Sequence, residues 1–148
     1  MSREILFRAK TKATKEWTYG HFAKQYDVPQ IYAGNGHECI YEDTLCQYIG
    51  LTDKNGTKIF EGDIVSKEFY TNHKRTKSKS FKGVVEYKVR CGKGFGIDGE
   101  DFKSWAAEWS VNFNFGSDEQ KYRAYSWGLF FDCEVIGNIY DNPELIEE

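Results

Sequence analysis

The chain has 148 residues, 40% of them hydrophobic, 17% aromatic and 29% charged, with a formal net charge of −3. At this length roughly 70% of the unfolded surface is buried on folding, so one domain, or two small subdomains sharing a core, needs no disulfide or metal staple. The acidic balance excludes a protein that coats nucleic acid by overall basicity, though not a local basic face, and no stretch approaches the ~20 apolar residues of a membrane span.

The N-terminus, "MSREILFRAKTK", carries Arg3, Glu4, Arg8, Lys10 and Lys12, which leaves no room for the apolar core of a secretory signal. A cytoplasmic protein is expected. Residues 4–9, "EILFRA", place Ile5 and Phe7 on one face and Leu6 and Arg8 on the other, the alternation of a strand. After the turn "KTKATK", the segment "EWTYGHF" alternates again and completes an antiparallel hairpin. A third strand is expected at 28–33, "VPQIYA", near an edge because of Pro29, before the turn Gly34-Asn35-Gly36. The next segment, "YEDTLCQYIGL", is ambiguous: Asp43 or Thr44 suits the cap of one helical turn, while Tyr48 and Ile49 favour extended chain.

"GLTDKNGTKIFEGDIV", residues 50–65, is the most legible stretch. Asn55-Gly56 predicts a type I′ hairpin turn, because both central residues of that turn need positive φ. Glu61-Gly62-Asp63 is a second sharp turn, from which "IVSKEFY" leaves as a strand. "TNHKRTKSKSFK" is polar and aperiodic, a long exposed loop, and "GVVEYKVR" at 83–90 returns to make a wide hairpin with 63–70. Beyond the Gly-rich "CGKGFGIDG", the window "EDFKSWAAEW" offers Phe102, Trp105, Ala106 and Trp109 at helical spacing. "VNFNF", "YRAYSWGLFF" and "CEVIGNIY" read as strands, and "DNPELIEE" as a tail with one helical turn after Pro143. Nine or ten strands and one or two short helices are therefore expected.

Candidate chemistry is sparse. "GFGIDG" at 94–99 matches the Gly-x-Gly-x-x-Gly dinucleotide pattern. Its preceding strand carries Glu86, Lys88 and Arg90, and the residues after Gly99 read as antiparallel strands, so a turn is the better reading. Carboxylates pair at Glu42-Asp43, at Glu61 and Asp63, and at Glu100-Asp101; Asp63 is expected to accept local backbone N–H groups rather than to do acid–base work. His21, His37 and His73 are scattered. Of the four cysteines Cys39, Cys46, Cys91 and Cys133, only Cys39 and Cys46 with His37 hint at a metal set, and buried reduced thiols suit them better. The remaining polar feature is basic: Lys67, Lys74, Arg75, Lys77, Lys79 and Lys82, with Tyr70 beside them. Cations that neutralise phosphates next to an aromatic platform are how single strands are held without sequence preference. The alternative is a solvated hairpin loop. Aromatic residues crowd 105–131, suiting a core or a protein interface.

Three segments together resemble the YopX family of phage and prophage proteins: "REILFRAK" followed by "WTYG"; "QYIGLTDKNGTKIFEGDIV" with "GVVEY"; and "EVIGNIYDNPEL". The basic loop at 71–80 and the aromatic-rich region 98–128 depart from that pattern. The resemblance implies a phage or prophage origin, a bacterial host cytoplasm and a compact β-rich domain, and it transfers no catalytic residue, metal or cofactor. "EGDIV" with "GVVEY" further looks like the first strands of an SH3-like barrel. The expected fold is thus mainly β: one YopX-like domain over 1–148, with an N-terminal antiparallel sheet (1–50) packed on a small SH3-like β-barrel (51–148). The expected function is a non-catalytic binding module whose partner is a host or phage protein, with a homo-oligomer allowed and no membrane contact. The alternatives are a nucleic-acid-binding protein using loop 67–82 and, last, a small enzyme with a carboxylate site.

Overall fold

The structure, a computed structural model, describes residues 4–34, 36–70, 72–95, 101–113, 122–125 and 132–146, with side chains at all of these except 69, 88–95, 101–108, 112–113 and 122–125. Among the described residues eleven strands follow in chain order: β1 (Phe7–Lys10), β2 (Trp17–Gln25), β3 (Val28–Ala33), β4 (Gly36–Cys39), β5 (Cys46–Thr52), β6 (Lys58–Phe60), β7 (Asp63–Tyr70), β8 (Ser78–Phe95), β9 (Asp101–Phe113), β10 (Tyr122–Tyr125) and β11 (Glu134–Asn138). They form two antiparallel sheets, ordered β4-β3-β2-β1-β5-β6 and β10-β9-β8-β7-β11. The mainly β class expected from the sequence is what the chain adopts. Among the described residues the only helical segments are 3₁₀ turns at Glu42–Thr44 and Pro143–Leu145, the two places where a single turn was expected.

Alternation explains the first sheet. On β1 the side chains of Phe7 and Ala9 join Phe22, Ile31, Ile40 and Leu45 in one apolar cluster. Leu6 faces the other way, towards a second cluster of Cys46, Tyr48, Phe60, Trp17 and Tyr140. β2 and β3 meet through a two-residue turn in which Gln25 pairs with Val28. Tyr26 and Asp27 there have φ of 50° and 64°, so a type I′ turn sits at Tyr26-Asp27. At Asn55-Gly56, where it was predicted, the hairpin exists but the turn differs. Gly56 N–H donates to the Asp53 carbonyl at 3.0 Å, Asp53 N–H donates to the Thr57 carbonyl at 2.8 Å, and only Gly56 of the pair has positive φ (82°). This is the three-residue loop closed by a glycine bulge. Asp53 selects it: its Oδ1 accepts from the N–H groups of both Asn55 and Thr57 at 2.9 Å.

The β5–β6 hairpin then lies over the second sheet. Its Ile49 and Ile59 pack on Val65, Phe81, Val85, Val111 and Cys133, forming the main core. This is the region expected as an SH3-like barrel. Among the described strands β10 and β11 form the two edges of the sheet and are not paired with each other.

Three local expectations are corrected. The window expected as a helix at 100–109 is a strand from Asp101 onward: β9 runs antiparallel to β8 from Phe95↔Asp101 to Gly83↔Phe113. A ten-residue helix is marginal without a partner face, whereas extending an existing hairpin satisfies every backbone group along its paired edge, and Phe and Trp are good strand formers. The Gly-x-Gly pattern falls on the same hairpin. Gly94 and Phe95 pair with Phe102 and Asp101, which is incompatible with the parallel crossover of a dinucleotide fold; residues 96–100 lie outside the described ones. The β7–β8 connection is also shorter than expected, since β8 begins at Ser78.

Candidate functional site

Two places concentrate polar side chains: the junction between the sheets and the tip of the β7–β8 hairpin. At the junction Asp63, 1% exposed, opens β7 directly after the Glu61-Gly62 turn. Its Oδ2 accepts from Phe60 N–H at 2.8 Å, the local backbone bond expected of it. Its Oδ1 accepts from the Arg8 guanidinium at 2.5 Å, 55 residues away in sequence. Arg8 is itself 7% exposed, and its guanidinium lies between the rings of Trp17 and Phe60, 4.6 and 4.7 Å from their centroids. A planar, weakly hydrated cation suits such a slot better than an ammonium would. Burial pushes the Asp63 carboxyl up; Arg8 and the Phe60 N–H pull it back down in part. Removing either partner would strand a charge in an apolar enclosure.

The surrounding shell binds the chain's far end to this pair. Tyr140 packs edge-on against Trp17 at 5.7 Å. The Trp17 indole N–H donates to Asp141 Oδ2 at 2.7 Å, Asn138 Nδ2 donates to the same oxygen at 3.1 Å, and Lys10 pairs with Oδ1. The Lys10 bond, despite some opposing burial, holds the Asp141 carboxyl at about 2, with Trp17 and Asn138 helping. A folded pKa below the unfolded ~3.9 adds stability above that value and loses it as the pH falls towards 2. Asp141→Asn is therefore expected to flatten the acid limb of a stability–pH curve between about pH 4 and pH 2. Urea midpoints measured across that window check it.

Burial raises the Cys46 thiol pKa, against the pull of Arg8, and raises the Tyr140 phenol in the same way, with Cys46 adding to it. In the main core, burial and then Asp53 push Cys133 up to about 11. Both thiols are thus protonated at neutral pH, which is the inert form of a cysteine. Gly62, at φ +83°, carries the backbone through this crowded point; a Cβ there would sit 3.2 Å from the Tyr140 ring and 3.6 Å from Cys46 Sγ. Gly62→Ala should cost ~1–3 kcal/mol from left-handed strain and overpacking, read as a lower urea midpoint with an unchanged slope.

Asp53, 6% exposed, does a parallel task on the other flank. Besides its two turn contacts, its Oδ2 accepts from Val135 N–H at 2.9 Å, tying the β5–β6 turn to β11.

The hairpin tip is different in kind. Residues 73–80 are all exposed. Asn72 organises the turn: its Oδ1 accepts from Thr76 N–H at 3.0 Å and Lys77 N–H at 3.3 Å, and its Nδ2 donates to the Thr76 hydroxyl at 2.6 Å. Arg75, at φ 55°, places its guanidinium 5.8 Å from the Tyr70 ring, which stays 63% exposed. The basic residues singled out from the sequence are sorted by strand pairing. Lys74, Arg75 and Lys77 stand in the turn, and Lys79 follows with its Nζ 5.5 Å above the Phe81 ring. Lys82 lies opposite Ser66, ~13 Å down the hairpin at the rise of an extended chain. Lys67 is 7% exposed, with its Nζ 3.7 Å from Asp132. One side of the hairpin carries a groove of about 400 Å³ lined by Glu68, Asp132 and Glu134, together with Lys54, Tyr70 and three serines.

Other expected features separate in space. His37 and Cys39 lie on exposed β4 while Cys46 is buried at the junction, and among the described residues no three His, Cys, Asp or Glu side chains gather as metal ligands. Glu42 and Asp43 open a 3₁₀ turn; Glu100 and the Asp101 side chain lie outside the described residues, as do most aromatics of 105–131. Trp109 is described, and meets Tyr87 edge-on at 4.9 Å. No helix among the described residues is long and apolar enough to cross a membrane.

The fold is that of a mainly β protein whose two antiparallel sheets are joined across a buried Arg–Asp pair. The chain belongs to the YopX protein family, whose model matches residues 6–147. Arg8, Trp17, Gly62, Asp63, Tyr140 and Asp141 all come from the three segments that carried the resemblance, and they converge on one point. Among solved structures the chain is similar to protein EF1440 from Enterococcus faecalis, at 24% identity, a TM-score of 0.44 and coverage of 99% of this chain and 100% of that one. A comparison with curated proteins finds no match.

Proposed function

We propose that the protein is a non-catalytic binding module of a phage or prophage, working in the bacterial host cytoplasm as a single chain or a homo-oligomer and engaging its partner through the β7–β8 hairpin. The observation that carries this reading is the division of the charged groups. Asp63 and Asp53 are sealed, with both oxygens of each occupied by Arg8 or by backbone N–H groups. The exposed tip, by contrast, presents Lys74, Arg75, Lys77 and Lys79 on a turn already ordered by Asn72. The β5–β6 hairpin laid over the five-stranded sheet also suits an SH3-like architecture, a frame that serves many binding roles.

The enzyme reading is weaker on the same grounds. Acid–base catalysis needs a carboxylate with reach to a substrate, and Asp63, the acid of the 61–63 turn, is 1% exposed with its oxygens held by Arg8 and the Phe60 N–H. The test is affinity capture from bacterial host lysate, with and without nuclease, comparing the wild type with a variant carrying Lys74→Glu, Arg75→Glu, Lys77→Glu and Lys79→Glu. A partner retained by the wild type and lost by the variant is expected. Identical capture by the two would overturn the hairpin as the working surface.

A further inference from the structure

We infer that the partner of the hairpin tip is single-stranded nucleic acid, with Tyr70 and Arg75 as the platform for a base and Lys74, Lys77 and Lys79 as the phosphate contacts. The inference rests on the hairpin being the working surface. Three features select this chemistry. First, residues 72–79 hold four permanent cations and no carboxylate, so the tip is a local positive field on a chain of net charge −3. Second, Tyr70 is the exposed aromatic beside them, with Arg75 over its ring. An aromatic face with a guanidinium beside it accepts any base by stacking, and stacking is what distinguishes a base-bearing strand from a bare polyanion. Third, the turn is held by three bonds from the Asn72 side chain, so little ordering cost remains at binding.

The groove on the Tyr70 side is lined by Glu68, Asp132 and Glu134 beside Lys54, and Lys54 and Lys67 counter two of its three acids. It offers phosphate no surplus of positive charge, so the contact is confined to the tip and leaves out Lys82 and the buried Lys67. With one aromatic and three or four cations the footprint is a few nucleotides, and a log–log salt slope of about −2 to −3 follows from ~0.7 counterions released per phosphate of a single strand.

Fluorescence anisotropy of the full chain with labelled oligothymidylate, oligouridylate and a duplex of equal length, over a salt series, tests this. The expected result is single-strand binding with that slope and weaker duplex binding. The fourfold charge reversal abolishes it, and so, in large part, does the milder pair Lys74→Glu and Lys77→Glu, both with an unchanged urea midpoint. Tyr70→Ala weakens binding roughly tenfold without changing the salt slope, whereas Glu68→Gln tightens it a few-fold. Absent binding at the lowest salt, a duplex bound as tightly as the single strand, or indifference to Tyr70→Ala would overturn the inference. If oligonucleotides fail while the tip still governs a nuclease-resistant capture from lysate, the nucleic-acid assignment falls and the hairpin remains the working surface. Loss of both results sinks both.

Discussion

Replacing Asp63 with alanine is expected to lower the stability of the protein by ~3–5 kcal/mol, the usual cost of stranding one member of a buried ion pair. The remaining Arg8 guanidinium, 7% exposed between Trp17 and Phe60, has no solvent to turn to, and Phe60 N–H loses its acceptor as well. Arg8→Leu is expected to cost a similar amount by leaving the carboxylate alone. The double replacement should cost less than the sum of the two, since exchanging a whole buried pair for apolar groups of similar size is often neutral. Equilibrium urea unfolding of the four proteins reads all of this. Were the pair poised for a ligand instead of holding the sheets together, the single variants would keep the wild-type midpoint.

The second large effect is expected at Asp53. Asp53→Ala removes the acceptor of three backbone N–H groups, those of Asn55, Thr57 and Val135. The turn amides regain water, but Val135 N–H lies against the core edge, so a loss of ~2–3 kcal/mol is expected. The same bonds set a pH signature. Burial alone would raise the Asp53 carboxyl; the three N–H donors outweigh it and hold the pKa below its ordinary value. A depressed folded pKa means stability that is present above roughly pH 4 and lost as the pH falls through the folded value. Asp53→Asn, which keeps one acceptor oxygen, should therefore lose less at low pH than at neutral pH. Midpoints at the two conditions check it, and equal losses would show that charge plays no part.

Much of the architecture was legible because it is local. Alternation in "EILFRA" and "EWTYGHF" marks both as strands, and the turn residues of 50–65 report where the chain reverses. What escaped is what depends on distant partners. Arg8 was visible only as a charge on the outward face of β1, and nothing nearby in sequence reveals that this face is roofed by Trp17, Phe60 and Tyr140. The Asn55-Gly56 turn was misassigned because Asp53, two residues before Asn55, caps the loop and draws it into the longer form. That Asp was a signal present in the sequence. The strand at 101–113 was hidden for the opposite reason: its helical spacing is genuine but yields to pairing with β8. Of the basic cluster, Lys67 reads in sequence as one more exposed cation, yet it is 7% exposed beside Asp132, and the gathering of Tyr70 and Arg75 depends on the Asn72 turn and is not written in spacing.

The Arg8–Asp63 pair joins β1 of one sheet to β7 of the other, and its contribution to stability is directly measurable. A double-mutant cycle of Arg8→Leu and Asp63→Leu, followed by urea unfolding at neutral pH, isolates the coupling between the two side chains. A coupling of ~2 kcal/mol or more is expected, with the double variant folded and more stable than either single one. Additive losses, with coupling near zero, would contradict this and show that the two sheets are held together without the pair.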